Sequence, residues 1–289
     1  MSDSLHIPVR RLPEPSALLE LIKPVTWFPP MWAFLCGVVS AGVSPLAHWP
    51  AVVLGLILAG PVVCGMSQAA NDWCDRHVDA VNEPNRPIPS GRIPGRWGLW
   101  VALAMTLAAL GLGWLLGPWG FGATVAACAA AWAYAAEPVR LRRAGWWGPG
   151  LVGLSYEGLP WFTGAAVLAG GLPGFEVVTL AALYAFGAHG IMTLNDFKAL
   201  EGDRLYGVRS LPVTMGPDAA ARLACTVMGV AQALVIAMLL VWGRPWHALA
   251  VAALLLLQVR AHWYNGAGVT LYVAGMLVSA FAVRNLEVM

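Results

Sequence analysis

The sequence predicts an all-α, polytopic membrane protein with nine transmembrane helices, and three observations carry that prediction. Charged residues make up 11% of the chain and apolar ones 59%, whereas soluble domains carry roughly 25% charge. A soluble chain of 289 residues could not cover its core with so little polar surface; lipid can solvate the outside of a membrane bundle. Apolar stretches also recur along the chain, most of them near the ~20 residues a helix needs to cross about 30 Å of hydrocarbon. Finally, the basic residues gather in alternate connections between these stretches.

The stretches run 25–43, 50–70, 97–116, 118–136, 149–169, 174–194, 219–241, 246–259 and 266–284. They are continuous rather than alternating, which predicts helices and not barrel strands, because a helix satisfies its own backbone in lipid. The segment ahead of them, residues 1–24, holds Pro8, Pro13 and Pro15 and reads as a cytoplasmic leader rather than a cleavable signal. With the N-terminus inside, 15 of 17 basic residues lie on the cytoplasmic side: Arg10, Arg11, Lys23, Arg76, Arg86, Arg92, Arg96, Arg140, Arg142, Arg143, Lys198, Arg204, Arg209, Arg222 and Arg260. Only Arg244 and Arg284 fall outside. That split orients the bundle in its membrane, expected to be a cell inner or intracytoplasmic membrane, and an odd number of spans puts the C-terminus in the periplasm.

The basic residues sit beside the membrane, so the net charge of +2 does not describe a nucleic-acid surface. The five cysteines show no paired metal spacing, and no disulfide framework is expected. No linker divides the chain, so residues 1–289 read as one domain.

An internal repeat relates the two longest inner loops. The first reads Asn71-Asp72-Trp73-Cys74-Asp75-Arg76-His77-Val78-Asp79, and the second Asn195-Asp196-Phe197-Lys198-Ala199-Leu200-Glu201-Gly202-Asp203. Asn71 to Asn195 and Asp79 to Asp203 are both separated by 124 positions. Each loop follows an even-numbered span, so the chain reads as two four-helix repeats plus a ninth helix. Repeats of this kind flank a shared site in many membrane proteins.

Asp72, Asp75 and Asp79 fall within about 60° of one another on a helix, one acidic stripe extending the second span. Gln68 continues that stripe toward the membrane. Asp196 and Asp203 share a face of the sixth helix, with His189 in line further in, while Glu201 points about 140° away from Asp196. Two facing acidic stripes need a cation. Hard divalent ions take oxygen ligands, and Mg²⁺ combines a few carboxylates with substrate phosphates. The five aspartates are therefore candidate metal ligands and catalytic residues of a Mg²⁺–diphosphate site. Arg86, Arg92, Lys198, Arg204 and Arg140 or Arg142 are candidates for the phosphate oxygens. Diphosphate leaving an allylic carbon would leave a carbocation, with the metal stabilising the developing negative charge.

At these residues the chain resembles the UbiA superfamily of intramembrane prenyltransferases, and within it the chlorophyll and bacteriochlorophyll synthases. The block NDWCDRHVDAVNEPNRPIPSGRIPGRWG (71–98) and the block NDFKALEGDRLYGVRSLPVTMG (195–216) carry the resemblance. Quinone-forming relatives typically have a tail closer to Arg-Thr-x-x-Arg-Pro where this chain has Asn82-Glu83-Pro84-Asn85-Arg86-Pro87. Many relatives also carry an aspartate where Ala199 stands, so Asp196 and Asp203 would do that work here. The resemblance implies a nine-helix fold and Mg²⁺ dependence. Its implied reaction esterifies the propionate of bacteriochlorophyllide a with a phytyl or geranylgeranyl group from its diphosphate. It also implies Asn71 and Asn195 at the substrate site, membrane lipid as surroundings, and association with other pigment-forming enzymes. A carboxylate acceptor is already a nucleophile, which agrees with the absence of an evident nucleophile–base pair in the two blocks.

Three further groups are candidates for the substrate cavity. Glu157 is the one carboxylate deep within a span, Glu176 lying at the start of 174–194, and such groups usually face a cavity or a partner. His189 could ligate the pigment's central magnesium, support the metal site, or be a satisfied core histidine. Of the fifteen tryptophans, Trp49, Trp119 and Trp246 sit where interfacial belts form; Trp73, Trp146, Trp147 and Trp161 are candidates to meet a flat pigment. The alternatives are a sister enzyme with a chlorophyll, quinone or haem precursor as acceptor, and a secondary transporter. A transporter predicts carboxylates near the bilayer midplane at broken helices, whereas most of these cluster at cytoplasmic helix ends.

Overall fold

Every predicted stretch is helical in the computed structural model, which describes residues 12–260 and 266–284. Arg10 and Arg11, counted above among the inner basic residues, and the leader's first eleven positions lie outside the described residues. Helix α1 (Pro15–Leu21) precedes α2 (Phe28–Ser40). Next, α3 (Trp49–Ile57), a π-helical segment Leu58–Cys64 and α4 (Gly65–Asn82) form one long rod. After α5 (Trp97–Leu115) and α6 (Gly117–Ala135), a second composite rod joins α7 (Trp147–Gly153), a π-helical segment Leu154–Gly158 and α8 (Leu159–Ala169). Helix α9 (Phe175–Asn195) passes through a 3₁₀ turn, Asp196–Ala199, into α10 (Leu200–Leu205). Then follow α11 (Leu211–Met215), α12 (Pro217–Val241), α13 (Pro245–Arg260) and α14 (Gly266–Val283). Among the described residues the one sheet is a two-residue parallel bridge of β1 (Ala144–Gly145) with β2 (Arg209–Ser210).

Four of the described helical runs are long and apolar enough by themselves to cross a membrane: Trp49–Asn82, Trp97–Leu115, Phe175–Leu205 and Pro217–Val241. Phe28–Ser40, Pro245–Val259 and Ala267–Val283 are shorter apolar helices.

The π segments were not expected from the periodicity, and their sequences explain them. Pro61 lies inside the first, and Pro160 follows the second at the start of α8. A proline has no N–H, so the carbonyls of Ile57 and Tyr156 lose their usual donors four residues on, and the ladder widens locally.

Among the described residues two large cores form, one dominated by each half of the chain, and a small third cluster of Phe34, Val38, Ala41 and Leu168 lies between α2 and α8. Leu21, Leu58, Met66, Ala69, Ile93 and Ala102 build the first; Trp161, Leu180, Tyr184, Met228, Leu239 and Met276 build the second. The repeats are not segregated, because α2 sends Ala33 and Cys36 into the second core. It does so by backbone contact with α8. A Cβ on Gly37 would come 2.0 Å from the Trp161 carbonyl oxygen, and one on Gly164 would come 2.2 Å from that of Phe34. Small residues let helices approach this closely where no hydrophobic effect drives them together.

Candidate active site

The two acidic boxes meet where α4 and α10 emerge from the bundle. Gly202 makes that approach possible: a Cβ there would fall within 2.2 Å of the Asn82 side-chain atoms, so the second box rests directly on the end of the first. Gly202→Ala is expected to cut activity at least about tenfold by pushing the boxes apart. Gly202→Ala combined with Asn82→Ala should recover much of it; an inactive double variant with normal folding would rule this spacing role out.

The first box is held by cations from three places. Lys23 Nζ donates to Asp72 Oδ1 at 2.6 Å. Arg86 reaches Asp79 Oδ2 at 2.8 Å and Asp72 Oδ1 at 3.4 Å, and holds Glu83 with its other nitrogens. Asp75 accepts from Arg140 at Oδ1, 2.7 Å away, and from Arg142 at Oδ2. Arg142 also comes within 3.7 Å of Asp203 Oδ1, which makes it the link between boxes. Lys23 and Arg140 are the two non-glycine residues with left-handed backbone among the described residues, at φ 45° and 36°. Such conformations cost of order 1 kcal/mol or more and persist where surrounding contacts over-determine them. Here those contacts are the ion pairs with Asp72 and Asp75.

The α-helical phasing assumed for Asp196 and Asp203 is interrupted by the 3₁₀ turn Asp196–Ala199. Asp203 is buried, while Asp196 is partly exposed and lines the cavity described below. Asp79 and Asp196 lie beyond the apolar stretches 50–70 and 174–194, on their polar extensions. Burial, opposed by Arg86, raises the Asp79 carboxyl to about 6. Burial, with the charge of Asp203 added, raises Asp196 to about 7. Both groups would therefore gain from a further positive charge.

Those donors fit a hard cation. Asp72 Oδ2, Asn71 Oδ1 and Asp203 Oδ1 are buried oxygens with no hydrogen-bond donor, and a buried acceptor left so calls for a partner. Among the described residues no three His, Cys, Asp or Glu side chains form a preformed metal-binding group. Lys23, Arg86, Arg140 and Arg142 hold the carboxylates instead. Mg²⁺ does not require such a cage, since substrate phosphates and waters supply the remaining oxygens.

Below the boxes lies a cavity of about 730 Å³. Lys23, Asn71, Asp79, Arg86, Arg142, Asp196 and Lys198 line its polar end, and Phe34, Ala123, Val152, Leu159, Pro160 and Val273 its apolar wall. Gln68, Tyr156, Glu157 and the exposed Asn195 also line it.

Several candidates stand elsewhere. Arg92 pairs with Glu20 of α1 at 2.6 and 2.9 Å, and Arg204 is exposed; neither lines the cavity. Arg140 reaches the site through Asp75 rather than through the cavity wall. His189 is buried, with Nε2 3.0 Å from the Trp146 carbonyl, Nδ1 3.4 Å from Thr193 Oγ1 and its ring against Trp146. That is the satisfied core histidine of the three readings. Trp161 is fully buried, its indole N–H donating to Ser40 Oγ and its ring stacked on Tyr184. Trp73, Trp146 and Trp147 are likewise outside the cavity lining. Trp146 and Trp147 are exposed, and the aromatic rings that do line the cavity include Phe34, Tyr134 and Tyr156.

Lys23 and Tyr156 are site residues that the sequence did not single out. Lys23 could have been noticed as a lone cation at the edge of the first apolar stretch. Tyr156 carried no signal beyond its place next to Glu157.

An apolar chamber under a cluster of carboxylates and cations, in a bundle of membrane-scale helices, is a site suited to a substrate with a polar head and a hydrocarbon body. The model of the UbiA prenyltransferase family matches residues 27–281, and the chain belongs to that family. It is 67% identical, over the full length of both chains, to the bacteriochlorophyll synthase 33 kDa chain of Cereibacter sphaeroides. It is 36% identical to the chloroplastic chlorophyll synthase of Oryza sativa subsp. japonica, across 92% of this chain and 76% of that one. In fold it is similar to a UbiA homologue from Archaeoglobus fulgidus bound to DMAPP and Mg²⁺, with a TM-score of 0.69 and 19% identity over 94% of this chain and 98% of the other.

Proposed function

We propose that this prenyltransferase esterifies the propionate carboxylate of bacteriochlorophyllide a with a phytyl or geranylgeranyl group, releasing diphosphate. The observation that carries the reading is the convergence of two Asp boxes and their cations on the polar end of one apolar cavity; the 67% identity to a bacteriochlorophyll synthase supports the choice of acceptor.

In this reading Asp72, Asp79, Asp196 and Asp203 would hold Mg²⁺, and Asn71 and Asn195 stand beside them. Asp75, expected as a fifth ligand, has both oxygens taken by Arg140 and Arg142 and would position those cations instead. Bound Mg²⁺ would supply positive charge for the diphosphate oxygens. Lys23, Arg86, Arg142 and Lys198, which line the cavity, take further phosphate oxygens by charge-assisted hydrogen bonds. The C1–O bond of the prenyl diphosphate breaks, and its electron pair leaves on the diphosphate. A pigment carboxylate oxygen then forms the new bond to C1. The apolar wall holds the prenyl chain and excludes the water that would intercept an allylic cation. Nine crossings, a cytoplasmic active site and N-terminus, a periplasmic C-terminus and an inner-membrane location complete the proposal, together with a single catalytic domain.

The test is an assay of detergent-purified protein with bacteriochlorophyllide a, geranylgeranyl or phytyl diphosphate, and Mg²⁺. Esterified pigment should form, stop on addition of EDTA, and return when Mg²⁺ is restored in excess. Undiminished turnover in EDTA would refute the metal–diphosphate site. Equal use of chlorophyllide a would refute only the acceptor.

A further inference from the structure

Away from its polar end, the cavity wall contains a polar group that its own protein does not satisfy. Glu157, on the π-helical turn Leu154–Gly158, is 5% exposed and lines the cavity, and its Oε2 has no hydrogen-bond partner. No ion pair to Glu157 occurs among the described residues. Its neighbour differs. The Tyr156 hydroxyl accepts from Gln68 Nε2 at 2.8 Å and lies 3.2 Å from Cys64 Sγ.

A carboxyl kept only for packing would be hydrogen-bonded, and this one lines a cavity whose apolar wall includes Phe34, Leu159, Pro160 and Val273. A charged carboxylate without a counter-charge is costly there, so the form that binds is the acid, with one O–H to donate. A hydrocarbon chain offers no acceptor for that proton. A ring carbonyl does.

Depth says which carbonyl. Gln68 lies one helical turn, about 6 Å, inward of Asp72, and its hydrogen bond puts the Tyr156 hydroxyl at that level. Glu157 follows on the same turn, about 15 Å along the rod that begins at Trp147. If the propionate on ring D of the pigment meets the prenyl C1 beneath the boxes, the rest of the macrocycle extends inward. The ring-E keto group stays near the propionate; the acetyl group on ring A reaches further. Chlorophyllide a has a vinyl group at that position and nothing to accept a hydrogen bond.

We infer that Glu157 donates a hydrogen bond to the acetyl carbonyl of bacteriochlorophyllide a and thereby favours it over chlorophyllide a, an inference that rests on the pigment-esterifying reading above. A buried donor that meets no acceptor penalises the wrong substrate, which is how polar pockets discriminate.

The test compares wild-type protein with Glu157→Leu and Glu157→Gln. Leucine should raise the KM for bacteriochlorophyllide a about tenfold, lower that for chlorophyllide a by relieving the unpaired donor, and leave the KM for prenyl diphosphate unchanged. Glutamine, which keeps an N–H donor, should restore most of the loss. Resonance Raman spectra of bound bacteriochlorophyllide, taken without diphosphate, should show the acetyl C=O stretch at lower frequency in wild type than in the leucine variant. Equal weakening of both pigments, a raised KM for the diphosphate, or identical acetyl stretches would overturn the inference. Should wild type bind the pigment without esterifying it, the reaction reading fails and the Raman comparison still decides the role of Glu157. Should it bind no pigment, both fall.

Discussion

Asp72→Ala and Asp196→Ala are each expected to reduce prenyl transfer by at least about 10³-fold, the scale on which loss of a preorganised electrostatic contact acts. The two residues lie 124 positions apart, yet each supplies a carboxylate where the boxes converge. Asp72 is 1% exposed. Its Oδ1 is taken by Lys23 and Arg86, and its Oδ2 has no donor. Removing it takes away a proposed metal ligand, leaves Lys23 without its partner and costs Arg86 one of three. Asp72→Asn separates these effects, because the amide keeps the shape but not the charge. It should be as inactive as the alanine variant while its thermal unfolding stays closer to wild type. Near-normal turnover in both alanine variants would exclude a metal site built on these boxes.

Arg142→Leu carries the second large effect, on stability as well as turnover. Arg142 joins Asp75 of the first box to Asp203 of the second, and its side chain is 16% exposed. Deleting one partner of a buried ion pair leaves an uncompensated charge and costs about 3–5 kcal/mol. Arg140 still holds Asp75 Oδ1, so the lower end of that range is expected, read as a drop in unfolding midpoint in detergent. Asp75→Asn added to Arg142→Leu should restore part of the stability and none of the activity. If the double variant were no more stable than Arg142→Leu, the ion pair would not be the source of the loss. If it regained activity, Arg142 would have no role toward the diphosphate.

The site was unevenly legible before the structure. The aspartate boxes could be read because their chemistry is written in local spacing: three carboxylates at helical intervals, repeated at a constant offset. Their partners could not. Lys23 meets Asp72 across 49 positions and Arg140 meets Asp75 across 65, and nothing in a one-dimensional pattern records such a contact. The same limit explains Arg92, whose charge suited a phosphate but which pairs with Glu20. It explains Trp161 too, since abundance of tryptophan says nothing about which rings face a cavity and which fill a core.

Composition and periodicity by themselves determined that this chain is a helical membrane protein, because scarce charge and continuous apolar runs are what a bilayer demands of any bundle. They also located its chemistry: 14 of the 32 charged residues fall within positions 71–98 and 195–216. Only the tertiary structure decided how that charge is neutralised and where the substrates can lie. Proline-driven π turns, glycines that admit a neighbouring backbone, and ion pairs between distant segments are properties of packed helices. They shape one cavity with carboxylates at its polar end and a lone acid in its apolar wall.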